Sequence, residues 1–598
     1  MLIAAAAPAS GIKPPPAQRQ TRSSAATPAS AEAKRATAQA RKWMARMSLR
    51  ERIAQLIMAP VYGDSPNARS REYRDYVTLV TGLKVGGLVV LNRIRDGVAQ
   101  RAEPHAAAAF LNRMQRLAKT PLIVAADFER GASMRVLHTT PFPYLMAFGA
   151  AGDLEATRAL GQATAREARA LGIHWIFAPD ADVNNNPDNP IINLRSFGED
   201  PRAVAAHVRA FIAGAHSDPH NLVLATAKHF PGHGDTDIDS HLDLPRVTAS
   251  RERLEQVELA PFQAAIEAGV DAIMTGHIAV PALESKDEPA TLASSIVSGL
   301  LRQELRFNGL IVTDALDMQA VAKLHAPGET AVLALEAGAD VLLAPSEPKE
   351  CVRAVAAAVS SGRLTKERID ASVLRLLTAK ARLGLQKKKL VDLETIPDSL
   401  DTPEDQELAA GVAAKAITLL RNESSAGGAG LLPLTAPQRA CWFVLSNARY
   451  SPQGRDLVEA VRQRSHGAQK AAQVTLVDPQ LPPAEFDALA AQARGCDAIV
   501  AAVYASRAPL PGNYPAFFDQ LIATGRPMAV VALGSPFLLR AFPNVQASLA
   551  AFGAVPASEV AAVRAVVGEI GVSGRMPVSI PGLARIGDGL RTEARSGP

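Results

Sequence analysis

Residues 222–245 read LVLATAKHFPGHGDTDIDSHLDLP, and the order of residue types in this stretch sets the reading of the whole chain. An apolar run from Leu222 to Ala227 ends abruptly in Lys228-His229, and Pro231, Gly232 and Gly234 then forbid a helix. A charged pair therefore stands at the end of a strand, with a long pliable loop behind it. The pattern recurs. Leu122–Ala126 is followed by Asp127, Phe177-Ala-Pro179 by Asp180 and Asp182, Ala272–Met274 by His277, and Leu310–Thr313 by Asp314. In a β/α barrel the strand C-termini converge on one rim, so these polar ends would share a pocket. A lone Asp after a strand also serves as a helix N-cap. The joint pattern, with Lys-His included, is what points to a site.

Working outward, apolar runs at Gly87–Leu91, Leu122–Ala126, Trp175–Ala178, Leu222–Ala225, Ala272–Met274, Gly309–Val312 and Val341–Leu343 alternate with amphipathic stretches such as Leu154–Leu171, Pro201–Ala215 and Arg251–Ala268. This predicts an α/β chain with a (β/α)8 TIM-type barrel over 39–385; a doubly wound open sheet is the alternative. A capping box, Ser48 with Glu51, predicts a helix start ahead of Ile53, Leu56 and Ile57. Residues 1–38, rich in Ala, Pro and Ser, read as a disordered basic tail, either plain or the remnant of an export signal. A polar stretch, 386–406, reads as a linker. Over 407–598 a second series, with runs at Trp442–Leu445, Val474–Val477, Ala498–Val503, Ala529–Leu533 and Leu549–Phe552, predicts an open Rossmann-like, three-layer α/β domain.

Composition narrows the function classes. The 598 residues are 48% hydrophobic and 21% charged, which excludes a largely disordered chain. The net charge is +5, but eight basic residues and one acid precede Ser48, so that segment carries +7 and the remainder −2. A near-neutral body gives a nucleic-acid partner no footing. No apolar run approaches the ~18 residues of a membrane span. No phosphate-binding glycine loop is present, and no cofactor is expected. Cys351, Cys441 and Cys496 lie far apart with neither metal spacing nor a pairing framework, and read as buried thiols.

Three chemistries compete for the loop after Lys228-His229. Zinc at His229 and His233 needs a helix to align the imidazoles, which Pro231-Gly232 prevents. Calcium at Asp235, Asp237 and Asp239 lacks the turn glycine, Ser240 standing there, and the terminal acid, replaced by Arg246. No metal is expected. The third reading couples Asp239 to His241: in an extended segment residues i and i+2 point the same way, so the carboxylate can fix the imidazole's tautomer for acid/base work. A structural histidine tied to a loop Asp is the plain alternative.

Val85-Gly-Gly-Leu-Val-Val-Leu-Asn92, Asp127-Phe-Glu-Arg-Gly131, Phe177–Val183, Arg195-Ser-Phe197, Lys228–Gly234, Asp239-Ser-His241 and Thr313–Met318 together resemble glycoside hydrolase family 3, in its β-N-acetylglucosaminidase branch. The resemblance runs from Ser48 to Leu385 and continues more weakly through Ala416–Glu423, Leu432-Pro-Leu434 and Ser573-Gly-Arg575. It implies Asp314 as the nucleophile, His241 oriented by Asp239 as the general acid/base, and Asp127, Arg195, Lys228 and His229 as holders of the sugar hydroxyls. The implied activity is retaining release of terminal GlcNAc from peptidoglycan fragments or chitooligosaccharides. Rival readings are a β-glucosidase of the same family, phosphorolytic release of GlcNAc-1-phosphate, and a non-catalytic wall-binding protein. Single-domain members of the branch are typically cytoplasmic and two-domain members more often exported, so a periplasmic or secreted location is expected, with a cytoplasmic one as the alternative. One departure stands out: the branch's DQEGG is here Asp127-Phe-Glu-Arg-Gly131, so Phe128 and Arg130 are expected to alter the pocket edge.

Overall fold

Ser48 caps its helix as the sequence predicts: its Oγ accepts from the Glu51 N–H at 3.2 Å, and Glu51 Oε2 accepts from the Ser48 N–H at 2.8 Å. The helix is short, however, closing at Gln55, and Ile57 opens strand β1 (Ile57–Tyr62). Ile53 lies in the helix as expected and Leu56 caps its end, but Ile57 enters the sheet, where it gains neighbours on both sides. In the computed structural model, the described residues are 28–595 apart from 65, 96–97, 425–429, 435–438, 448–450, 465–472 and 506–509.

Seven further strands complete a parallel sheet: β2 (Gly87–Leu91), β3 (Ile123–Ala126), β4 (Trp175–Ile176), β5 (Leu224–Phe230), β6 (Ala272–Thr275), β7 (Leu310–Thr313) and β8 (Leu342–Leu343). The order is β8-β1-β2-β3-β4-β5-β6-β7, and a bridge between Val312 and Val341 joins its two ends, giving a (β/α)8 barrel. Alternation along each strand separates two cores. Met58, Val89, Ile123, Ala125, Trp175, Leu224, Ala272, Met274, Leu310 and Val312 fill the interior. Their neighbours Ile57, Leu88, Val90, Val124, Ala126, Ile273 and Ile311 face the surrounding helices.

The second sheet contains β9 (Thr418–Asn422), β10 (Ala440–Leu445), β11 (Gln473–Val477), β12 (Ala498–Val503), β13 (Met528–Ala532) and β14 (Ala547–Ala550), in the order β9-β14-β13-β12-β10-β11. All its pairings are parallel except β9 against β14. Apolar clusters cover both faces, so this is an α/β unit beside the barrel.

Three expectations need correction. Helix Pro28–Met44 begins inside the stretch read as tail and buries Ala36 and Ala40. The stretch read as a linker packs back on the barrel, with Ile396 and Leu400 buried and Val391 bonded through its N–H and C=O to the Asn112 side chain. Cys441 and Cys496 form a disulfide, with Cα atoms 5.9 Å apart. Fifty-five residues separate them, but Cys441 lies in β10 and Cys496 just before the adjacent β12, so the sheet brings them together. Among the described residues, no helix is long and apolar enough to cross a membrane.

Candidate active site

A cavity of about 610 Å³ opens at the C-terminal ends of the barrel strands. Asp127 follows β3, Lys228 and His229 lie in β5, and Asp314 follows β7; all four line the cavity, together with Arg195 and His241. Of the residues predicted from sequence, Asp180, Asp182, His277 and Asp239 stand behind the lining, Asp239 in contact with His241.

The floor is a chain of alternating charges. Lys228 Nζ lies 3.0 Å from Asp127 Oδ1 and 2.7 Å from Glu129 Oε1. Arg195 grips Glu129 with both arms, Nε to Oε2 at 3.0 Å and Nη2 to Oε1 at 2.8 Å. Arg135 donates to Asp127 Oδ2 at 2.7 Å. Burial alone would push Asp127 up, but the charges of Lys228 and Arg135 outweigh it and hold the carboxyl at about 2. Burial likewise opposes ionisation of Glu129, and Arg195 and Lys228 override it, leaving its pKa well below the usual range. The same partners raise Lys228 and Arg195.

Behind this floor lie Asp180 and Asp182, which follow β4. His229 Nδ1 meets Asp182 Oδ2 at 2.8 Å, and His229 Nε2 lies 3.2 Å from Arg195 Nη2. Asp182 also accepts the His233 N–H at 2.6 Å, fixing the root of the loop. Asp180 differs. Its oxygens lie 3.4 Å from Arg195 and 3.4 Å from His229, with no hydrogen bond among the described residues, and burial raises it well above a normal carboxylic acid. Asp180, Asp182 and His229 bring ligand-type atoms within 4.8 Å of one another, but Arg195 already supplies their counter-charge. The two imidazoles of the zinc pairing considered above meet edge to face, with ring centres 6.0 Å apart, but His233 turns Nδ1 to Thr236 at 2.8 Å and Nε2 to Ser240 at 3.1 Å. Of the calcium candidates, Asp235 faces Arg253 at 3.6 Å while Asp239 holds His241.

The loop is tight at its root and open at its tip. A Cβ on Gly234 would stand 1.7 Å from the Val183 carbonyl oxygen, so only glycine fits this approach. Asn189 Nδ2 donates to the carbonyls of His233 and Gly234 at 2.8 and 3.0 Å. At the tip, Asp239 Oδ1 accepts from the His241 N–H at 2.9 Å and meets its Nδ1 at 2.8 Å. The His241 side chain is 57% exposed, and its Nε2 is the ring nitrogen free of Asp239. Burial would raise Asp239, yet the two bonds from His241 lower it.

Asp314 is fixed at the backbone, its N–H donating to Thr275 O at 3.0 Å, while Oδ1 accepts from the Ala315 N–H at 2.7 Å. Burial opposes its charge, but His229, His277 and this N–H lower its pKa below the usual carboxylate range, leaving an ionised carboxylate at neutral pH. His277 supports the turn from below, with Nε2 2.9 Å from Ala315 O. Neighbouring Asp317 is raised by burial instead.

Sequence reasoning missed Glu129, Arg135 and Tyr144. Glu129 lies in the Asp127–Gly131 motif and is the hub of the floor. Arg135, eight residues past Asp127, gave no signal. Of the two departures, Arg130 lines the cavity and stacks on Tyr144 with its guanidinium carbon 4.5 Å from the ring centre, whereas Phe128 is fully buried and does not reach the pocket edge.

Against this geometry, residues 48–379 match the family model described as the glycosyl hydrolase family 3 N terminal domain. The chain belongs to glycosyl hydrolase family 3. A curated family relative, the "Beta-N-acetylglucosaminidase/beta-glucosidase" of Cellulomonas fimi, is 34% identical over 404 residues, 66% of this chain and 67% of that one. "Beta-hexosaminidase A" of Pseudoalteromonas piscicida is 36% identical over 350 residues, and the match spans only 54% of this chain and 56% of the relative. A solved family 3 β-N-acetylglucosaminidase from Paenibacillus sp. str. FPU-7 aligns with a TM-score of 0.78 at 34% identity, covering 89% of this chain and 99% of that one. The family 3 likeness therefore extends through the second sheet.

Proposed function

We propose that the chain is a retaining exo-β-N-acetylglucosaminidase, removing terminal GlcNAc from peptidoglycan fragments or chitooligosaccharides through a covalent glycosyl-enzyme intermediate. The observation that carries this reading is one cavity lined by both an ionised Asp314 and the exposed imidazole of His241, which Asp239 holds by Nδ1. Names of the relatives, hexosaminidase and β-N-acetylglucosaminidase, support it.

In this mechanism Asp314 attacks the anomeric carbon as the glycosidic C–O bond breaks, and His241 Nε2 gives its proton to the departing oxygen. Water then attacks the glycosyl ester, surrendering a proton to His241 and releasing Asp314. Asp239 keeps the imidazole in the tautomer this needs. Lys228 and Arg195 have only donors to offer, Asp127 only acceptors once ionised, and His229 a ring nitrogen. Together they fix the sugar hydroxyls, and their mutual ion pairs hold that arrangement before substrate arrives.

The test is hydrolysis of an aryl β-GlcNAc. Asp314→Asn is expected to lower kcat by more than about a thousandfold, as loss of a covalent nucleophile does; wild-type rates in that variant would sink the assignment. An aryl β-glucoside run beside it separates out the β-glucosidase reading, which the double name of the Cellulomonas relative makes worth measuring. Product analysis in phosphate buffer separates hydrolysis from release of GlcNAc-1-phosphate. Sugar binding without turnover would identify a non-catalytic wall-binding protein.

A further inference from the structure

The barrel has a second hollow, at the N-terminal ends of its strands and so on the face opposite the active-site cavity. It encloses about 190 Å³ between His174, one residue before β4, Arg169 at the end of helix Leu154–Ala170, His220 ahead of β5, and Lys388, Lys389 and Asp392 beyond the last barrel helix. His174 is 4% exposed, and its Nδ1 accepts the Val124 N–H at 3.2 Å. The ring proton therefore sits on Nε2, for which the described residues provide no acceptor. Arg169 Nη1 is shut away from solvent with no hydrogen-bond partner among the described residues. Lys389 donates to the carbonyls of Gln115 and Ala118 at 2.6 and 3.4 Å. Asp392, the carboxylate in the lining, uses Oδ1 to accept the Glu394 N–H at 3.1 Å. Positive charge is thus in excess in a partly dry space. Burial lowers Arg169 and Lys389, and His174 is lowered by burial and then by the charges of Arg169 and Lys380.

Buried donors without acceptors are costly, and natural proteins leave few of them. The hollow is too small for an organic ligand, whose sites begin at roughly 300 Å³. We propose that it binds a small tetrahedral oxyanion of the orthophosphate class, held by the Arg169 guanidinium, the His174 Nε2–H, His220 and Lys388. Such an anion would meet the Arg169 guanidinium and the His174 Nε2–H with charge-assisted hydrogen bonds and relieve the repulsion around His174.

Calorimetric titration of the full-length protein with orthophosphate, at neutral pH and about 0.15 M NaCl to screen diffuse attraction, tests this. One saturable site is expected. Arg169→Met and Lys388→Met should each weaken it by about tenfold or more, the effect of losing one charge-assisted bond, while aryl β-GlcNAc hydrolysis stays at the wild-type rate. Lys388 is exposed, so its variant keeps the test valid if Arg169→Met fails to fold. Methyl phosphate as a second titrant distinguishes sources: equal affinity points to the end of a phosphate monoester, and loss of binding to the free anion. Absence of saturable binding in the wild type, unchanged affinity in both variants, or displacement of phosphate by GlcNAc in the active-site cavity would each overturn the proposal.

Discussion

Lys228 and Lys380 are both buried lysines of the barrel, and they illustrate two solutions to the same problem. Lys228 has carboxylates on two sides, Asp127 and Glu129, which keep its charge. Among the described residues Lys380 has only the Gln55 Oε1, at 2.8 Å, and burial pushes it down to about 7. In the unfolded chain that amine holds its proton to about pH 10.4, so between about pH 7 and 10 the unfolded state binds more protons and folding stability climbs with pH. Lys380→Met is expected to remove this climb, read from urea midpoints across that window. The depressed carboxylates act in the opposite range. The contribution of Asp127 is complete above its unfolded value near 4 and is lost as pH falls towards about 2. At His241 the residue-scale prediction concerns leaving groups. His241→Ala should cost little on an aryl GlcNAc whose phenol departs without a proton, and about a hundredfold or more on one that needs it, the range ascribed to general acid catalysis. Equal losses on both would remove His241 from that role.

At the scale of elements, the strands were legible wherever an apolar run ended in a polar residue, and β3, β5, β6 and β7 end close to where the sequence puts them. Strand β1 was not, because Pro60 breaks its apolar run and the capping box upstream made Ile57 read as helix. The site was legible where chemistry stands next to a strand end, as at Asp127, Lys228-His229 and Asp314. It was not legible in its pairings. Glu129 meets Arg195 across 66 residues and Lys228 meets Asp127 across 101, separations that only barrel closure brings together. The disulfide was missed because strand pairing in the second sheet, not sequence spacing, brings its cysteines together. Closing a loop of 55 residues, Cys441–Cys496 should contribute about 4 kcal/mol by restricting the unfolded chain. Reductant, or the double change Cys441→Ser and Cys496→Ser, is expected to lower Tm, and mass mapping under non-reducing conditions should recover the linked peptides. Such a bond suits an oxidising compartment, and export is our proposal for the chain.

Taken whole, the two sheets are not independent bodies. Met146, Ala147, Ala150 and Leu194 belong to the barrel's connections, yet they are buried in the core of the second unit with Phe443, Phe537 and Met576. The Arg575 N–H donates to Ala150 O at 3.1 Å, and the Ser579 N–H to Glu199 Oε2 at 2.7 Å. At Gly198 a Cβ would come within 2.5 Å of the Pro577 carbonyl oxygen, so the two parts touch backbone to backbone. Full-length protein is therefore expected to melt in a single calorimetric transition. A chain ended after Ala416 should expose the Met146 cluster, bind a hydrophobic dye and aggregate; a stable, monomeric barrel from that truncation would contradict the shared core.

The seven-residue helix Leu145–Ala151 has a consequence for descent. Tyr144, immediately before it, lines the active-site cavity, while Met146, Ala147 and Ala150 serve the neighbouring core. A lineage that shed its C-terminal third by recombination would have to rewrite this helix in the same step, or inherit a greasy wound beside its catalytic mouth. Relatives that lack the C-terminal sheet are therefore expected to carry polar residues at the positions of Met146, Ala147 and Ala150, which an alignment of barrel-only and two-domain members would check.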